Sequence, residues 1–322
     1  MTRVPNKTKH ITSLSLSQAF RQIGSLTAVS RIIGFVRDIV FASFLGAGPA
    51  ADAFLVALKL PNMFRRLTAE GALTNAFLPS FVKVRTAEGR VAAIKLAAEA
   101  QIMLILVLFG IVVVAEIYMP QLLLLLAPGF AATPDRLAAA VDLGRVTMPY
   151  LPMISVVALW VAIANAHEQF IAGAAAPILA NLCFIAGAIS VPFFASDLGV
   201  FRALPIAIGL LVAGMLQLVF LFIVLSRLAA LPKLQWPRLS NEGKTMWRNF
   251  LPSALGAGGM QINLLVDLIL ASLLPVGAIS WLYYADRLAQ LPLGVVGIAL
   301  GTALLPRLSA AEADDKRDKF VK

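Results

Sequence analysis

Residues 102–119 read IMLILVLFGIVVVAEIYM, and residues 204–225 read LPIAIGLLVAGMLQLVFLFIVL. Each is close to the roughly 20 apolar residues an α-helix needs to cross a bilayer. Neither alternates as a half-buried strand would, and neither carries the polar stripe of a soluble amphipathic helix. Working outward from these two, eight spans are predicted, near 24–45, 52–81, 96–118, 137–165, 171–194, 203–226, 250–274 and 279–305. The first, second and eighth are interrupted by charges and prolines. Hydrophobic types make up 60% of the 322 residues and charged types 14%, against about 45–50% and about 25% in soluble domains. A water-soluble globule is excluded. The fold class is all-α, a polytopic membrane protein with eight transmembrane helices.

The charge of +10, from 27 Lys and Arg against 17 Asp and Glu, reads as topology and not as a nucleic-acid signal. With the N-terminus in the cytoplasm, 18 bases fall on inside segments, 2 (Arg136 and Arg202) on outside loops, and 7 within spans. That bias predicts an N-in chain with an even number of spans. Residues 1–23 show no compact apolar core with a cleavage site, so they read as a retained cytoplasmic tail. Cys183, the single cysteine, leaves no internal disulfide or cysteine-cluster metal site, and His10 and His167 offer little for histidine chemistry.

The seven bases inside the spans are Arg31, Arg37, Lys59, Arg65, Arg66, Arg145 and Arg287. Exposing all of them to lipid would cost on the order of 20 kcal/mol, at about 3 kcal/mol each. Snorkelling rescues those near span ends, such as Arg65, Arg66 and Arg145. The economical solution for the rest is a polar cavity between helices. In SRIIGFVRD, Arg31 and Asp38 share a helical face, while Arg37 lies about 120° away from Arg31 and Gly34 is a candidate bend. Either arginine neutralises Asp38, or at least one meets substrate. On the second span Asp52, Lys59, Arg66 and Glu70 form one charged stripe, and Arg66 and Glu70 are an i, i+4 pair. Pro61 is expected to disturb that helix, as in a helix lining a cavity. Arg65 points elsewhere, with no acid at i+4, either to meet an external anion or as half of an interfacial Arg pair. The eighth span carries Tyr283, Asp286, Arg287 and Gln290 one turn apart, and then Gly294, Gly297 and Gly301, a small-residue surface for helix contact. Asp267 is an isolated acid in the seventh span, explained by a salt bridge or by an ion site. Arginine is always ionised and binds phosphate through paired hydrogen bonds, so a cavity rich in it implies an anionic, phosphate-bearing substrate. No Walker sequence supports ATP hydrolysis.

Two regions look alike at a spacing near 229 residues. RDIVFASFLGAGPA from Arg37 matches VDLILASLLPVGAI from Val266 at Asp38 and Asp267, at Ala42-Ser43 and Ala271-Ser272, and at Gly48 and Gly277. Lys59-Leu60-Pro61 then falls on Gln290-Leu291-Pro292, and NAFLPSF (75–81) on TALLPRL (302–308). The favoured reading is a parallel repeat of six helices about an axis along the membrane normal. It divides the chain into a tail (1–23), a first lobe (24–230), a cytoplasmic linker (231–249) and the start of a second lobe with a basic tail (250–322). On this plan the second lobe is truncated.

SRIIGFVRD, GAGPAADAFLVALKLPNMFRRLTAEGALTNAFLP and YYADRLAQLPLGVVGIALGTALLPRLS resemble the MurJ (MviN-type) lipid II flippases, and the likeness extends over the chain after residue 15. The resemblance implies the multidrug/oligosaccharidyl-lipid/polysaccharide exporter fold, with fourteen helices in two lobes around a cationic cavity. It implies a transporter of the bacterial inner membrane, not an enzyme. Such a transporter moves undecaprenyl-diphosphate-linked peptidoglycan precursor (lipid II) to the outer leaflet by alternating access. It places substrate-binding arginines at Arg31, Arg37, Arg65 and Arg287, with Arg66 adjacent, and cavity or gate acids at Asp38, Asp52 and Glu70. Lys59 and Asp286 complete the expected cavity lining. It makes Asp267 a candidate sodium ligand and implies no other cofactor. The implied partners are lipid II, membrane lipids and proteins of cell-wall synthesis and division. Two departures stand out. The family's last six helices have no counterpart here, and FIAGAAAP lacks a proline that some relatives carry near there. A drug or polysaccharide-lipid exporter of the same superfamily is the alternative; a drug exporter would favour a more acidic cavity. A membrane glycosyltransferase would need carboxylates and a metal or diphosphate site on outside loops that are nearly chargeless. A non-transporting scaffold would need all seven intramembrane bases paired.

Overall fold

A computed structural model describes residues 16–67 and 73–290. Among them the chain forms α1 (Leu16–Leu45), α2 (Pro49–Leu67), α3 (Leu73–Glu88), α4 (Arg90–Ile117), α5 (Met119–Leu126), α6 (Pro134–Thr147), α7 (Tyr150–Ala166), α8 (Phe170–Leu198), α9 (Leu204–Arg227), α10 (Asn241–Ser272) and α11 (278–290). Short 3-10 turns fill Pro128–Ala132 and Gly199–Ala203. The expectations that rest on Glu70, on Gly294, Gly297 and Gly301, and on the segment 302–308 lie outside the described residues.

Within the described residues the predicted spans map onto these helices with three differences, residues 291–305 of the eighth lying outside them. The stretch 52–81 contains nearly all of α2 and the first half of α3. The stretch 137–165 is a broken helix, α6 then α7, because Pro149 has no N–H to continue the ladder. The helix α5 follows α4 directly, its Pro120 standing in the first turn where no intrahelical donor is needed. Gly34 does not interrupt α1, and α2 runs through Pro61. The carbonyl that Pro61 leaves without its usual donor, Ala57 O, receives the Thr147 hydroxyl at 3.5 Å.

Among the described residues four segments are long and apolar enough to cross a membrane: Arg90–Ile117, Pro134–Ala166, Phe170–Phe194 and Phe201–Arg227. Only 33% of the apolar window in Arg90–Ile117 is buried inside the protein. Phe109, Val113, Val114 and Ile117 point outward, a contiguous apolar face that lipid, not water, can cover. The charged helices α1, α2, α10 and α11 line the interior. Helix α8 lies between α1 and α9, α2 packs on α6, and α7 packs on α9 and α4. The α8–α9 contact is close: a Cβ on Gly187 would stand 2.8 Å from Pro205 O, and one on Gly209 2.8 Å from Cys183 O. Small residues there let the two backbones touch, the packing that replaces hydrophobic drive in a bilayer.

The repeat has a structural counterpart at its junction. Helices α2 and α11 begin 229 residues apart, and in each the glycine just before the helix accepts the first bond: Asp52 N–H donates to Gly48 O and Trp281 N–H to Gly277 O, both at 2.9 Å.

Candidate functional site

Two cavities with charged groups in their walls flank α2 and α11, the first reaching α1, α7, α8 and α9 and the second reaching α10. The first is a cavity of about 270 Å³ lined by Arg37, Arg65, Arg66, Arg287 and Asp38 among others. Four arginines against one aspartate leave its walls with a net charge of +3. An adjoining space of about 830 Å³ takes Lys59, Arg66, Arg287, Asp267 and Asp286 into its lining. Asn62, Arg66, Tyr283 and Arg287 line both, so the two spaces adjoin.

Asp38 is the centre of the first. Arg37, its neighbour on α1, donates from Nη2 at 2.7 Å and Nε at 3.0 Å to Asp38 Oδ1. From α11, Tyr283 OH donates to the same oxygen at 3.0 Å, and Arg287 Nε stands 3.6 Å from Oδ2. Arg37 Nη1 also donates to Asn181 Oδ1 on α8 at 2.9 Å, with its guanidinium 5.5 Å from the Phe184 ring. One carboxylate thus holds two guanidiniums from residues 250 positions apart on different helices. The arginine forks keep further N–H groups for an anion. Arg287 lies over the Tyr283 ring at 5.0 Å and donates to Gln290, whose amide donates to Asp286 at 2.6 Å. Arg65 donates to Asn62 Oδ1 at 3.4 Å.

Arg31 is exposed on α1 and is absent from the lining of both spaces. Of the two arginines left open as partners of Asp38, it is Arg37 that pairs with it, its side chain curling over its neighbour. Arg65 and Arg66, expected to diverge, both reach the first cavity. Lys59 and Asp286 line the second. Asp267 also lines it, and among the described residues no group of three His, Cys, Asp or Glu gathers to hold a metal.

Asp52 is not in the cavity. It is fully buried some 14 residues, or about 21 Å of helix, from Arg66. Its Oδ1 accepts Ser280 N–H at 3.0 Å and Ser280 Oγ–H at 2.6 Å; its Oδ2 accepts Gly277 N–H at 2.7 Å and Arg136 Nη1 at 3.4 Å. The carboxylate therefore caps the N-terminus of α11, where the exposed N–H groups favour negative charge. Around it Tyr284 OH donates to Gly46 O at 2.7 Å and Gly129 N–H to Ser272 Oγ at 3.2 Å. These contacts form a seam between the α1–α2 corner and the α10–α11 corner. A Cβ at Gly129 would fall 1.9 Å from Ser272 O, so the seam closes at backbone distance.

The sequence reading missed Arg136. Counted there as an outside loop base, it is 4% exposed, ion-paired to Asp52, and 3.9 Å above the Phe130 ring. The usable signal was Asp52 itself, an acid with no Lys or Arg within a helical turn of it.

The profile of the family described as lipid II flippase MurJ matches residues 41–322. The chain belongs to that family. A relative from Rhizobium meliloti, "Probable lipid II flippase MurJ", is 38% identical over 299 residues, covering 92% of this chain and 56% of its own length. The chain thus spans a little over half of the curated relative it matches. A solved lipid II flippase MurJ in an inward closed conformation shares the fold with a TM-score of 0.72 at 24% identity, over 92% of this chain and 59% of the other. An inward-facing multidrug-resistance MATE transporter of the MOP superfamily aligns with a TM-score of 0.63 at 17% identity, over 88% of this chain and 63% of the other. Both solved structures thus share the helical fold of this chain.

Proposed function

We propose that the chain carries the substrate cavity of a lipid II flippase in the bacterial inner membrane. The observation that carries this reading is the pair Arg37 and Arg287, held from two helices on one aspartate in a cavity of net charge +3. Two guanidiniums presented side by side suit a diphosphate, which offers oxygens to both forks. Arg65 and Arg66 stand on the same wall to take the remaining charge and the sugar–peptide head. The larger compartment accommodates the rest of that head.

The lobes are 24–230 and the segment after the linker 231–249, with the N-terminus cytoplasmic. Diphosphate binding from the cytoplasmic side replaces part of the Asp38 interaction, draws α1, α2 and α11 together and closes the cavity there. The Asp52 seam is the outer gate in this scheme, and release to the outer leaflet requires it to part. Each cavity charge that crosses the membrane field contributes about 2.3 kcal/mol per 100 mV, so the membrane potential can reset the empty carrier. No covalent chemistry is needed, and the protein acts as a transporter, not a catalyst.

The test is replacement of the resident flippase in a depletion strain by a full-length gene carrying this chain, wild type or with Arg37→Ala, Arg65→Ala or Arg287→Ala. Wild type is expected to sustain growth and the variants to fail, with purified variants binding lipid II less tightly. Growth supported equally by all three variants would sink the assignment. Wild type that exports a drug but does not bind lipid II would move it to another exporter class.

A further inference from the structure

The segment between α9 and α10 is not a slack tether. It is fastened to α4 at three successive levels. The Arg90 guanidinium donates to Leu228 O, the Gln235 amide to Lys95 O at 3.5 Å, and both Ser240 N–H and Ser240 Oγ–H to Glu99 Oε2 at 2.9 and 2.7 Å. Glu99 is 3% exposed, so the last of these is a buried, charge-assisted clamp. From Arg90 to Glu99 the strap climbs about 14 Å along α4. Lys95 is the last base of α4 before its uninterrupted apolar run. The strap therefore lies where the helix passes from charged to apolar surface, which is the level of the lipid headgroups.

At that level the strap presents an unusual surface. Gln235 is turned in towards α4, and its neighbours Leu234 and Trp236 are 74% and 80% exposed. Lys233 and Arg238 flank them and are exposed too. Pro232 and Pro237 hold the backbone out of a helix. A large apolar side chain exposed in water is unfavourable, but indole is at home in the interface, where its ring lies among glycerol and upper acyl groups and its N–H stays hydrated. The two cations beside it complement anionic headgroups.

We propose that residues 233–238 form an interfacial docking surface for anionic phospholipid, with Trp236 and Leu234 inserted at the headgroup boundary and Lys233 and Arg238 on the lipid phosphates. The proposal stands on the position of the strap along α4 and does not depend on which substrate the cavity carries. Because Glu99 fixes Ser240, and Ser240 caps α10 through Gly243 N–H at 3.1 Å, lipid bound to the strap would set the level at which α10 enters the membrane.

The experiment uses the full protein with Cys183→Ser and a spin label at Trp236→Cys, reconstituted in vesicles of phosphatidylcholine with or without phosphatidylglycerol. Power saturation is expected to show a label reached by oxygen but sheltered from a water-soluble nickel relaxant. Native mass spectrometry of otherwise wild-type protein should show retained phosphatidylglycerol, and Lys233→Gln or Arg238→Gln should each lower its preference over phosphatidylcholine about fivefold. Both cations are exposed, so neither variant threatens the fold. A label open to the nickel reagent would overturn the proposal by placing the strap in water. A label closed to both reagents would overturn it by showing that protein covers the strap. Equal retention of the two lipids would do the same for the charge complementarity.

Discussion

Ser280 donates to Asp52 twice, from its backbone N–H at 3.0 Å and its hydroxyl at 2.6 Å, although the two residues stand 228 positions apart. Both are fully buried. A carboxylate in that position is stable only while its donors stay, and Arg136 is the one donor that belongs to the same side of the seam as Asp52. In the proposed transport scheme, parting of the seam would carry Gly277 and Ser280 away with α11 and leave Arg136 to neutralise the charge.

Asp52→Ala should destabilise the protein by about 3–5 kcal/mol, because it strands the buried Arg136 guanidinium and three donors on α11. Thermal unfolding in detergent measures this. Pairing Asp52→Asn with Arg136→Met should recover much of the loss. A double variant as unstable as the sum of the singles would show that the ion pair does not govern the site.

Gly129→Ala should keep the seam from closing fully, since no shift of a flexible side chain relieves a Cβ 1.9 Å from the Ser272 carbonyl. The expected outcome is a population shifted towards separation at this end. Distances between spin labels on the α1–α2 and α10–α11 corners, in a Cys183→Ser background, check it; an unchanged distance distribution would refute the prediction.

Arg37→Ala and Arg287→Ala should not act independently, because both guanidiniums share Asp38. Their coupling in a double-mutant cycle of lipid II affinity is expected at about 0.5–3 kcal/mol. Additive losses would place the two arginines on separate parts of the ligand.

Trp160→Phe should cost about 1–3 kcal/mol of stability. The indole N–H donates to the buried Gln101 amide at 2.6 Å, and phenylalanine would leave that oxygen dry and unpaired. A Gln101→Leu, Trp160→Phe double variant is expected to unfold at a higher temperature than Trp160→Phe alone. The reverse order would mean that the loss is one of packing.

Much of this protein was legible in its sequence, for reasons that are local. Twenty apolar residues in a row announce a membrane span whatever surrounds them, and a base inside such a span must find a cavity because lipid cannot solvate it. That argument pointed to Arg37 and Arg287, whereas Arg65 and Arg66, read as able to snorkel, line the same cavity. The 229-residue repeat matched Gly48 with Gly277, and each of these glycines directly precedes a helix, since glycine-ended corners are set by nearby residues.

Partners across the fold were not legible. A helical wheel fixes the angle of a side chain but not its height or reach. It therefore put Asp52 on the stripe of Lys59 and Arg66, although Asp52 is buried in the seam and not in the cavity. For the same reason it left Arg31 and Arg37 both open as partners of Asp38, and the long side chain one residue away took that place. Arg136 resembled a loop charge because its acid lies 84 positions earlier. The sequence determined a membrane-embedded helical protein with basic groups that require a cavity. Only the tertiary structure decided which of them share one carboxylate and which lock a seam, because such pairings depend on helices brought together from opposite ends of the chain.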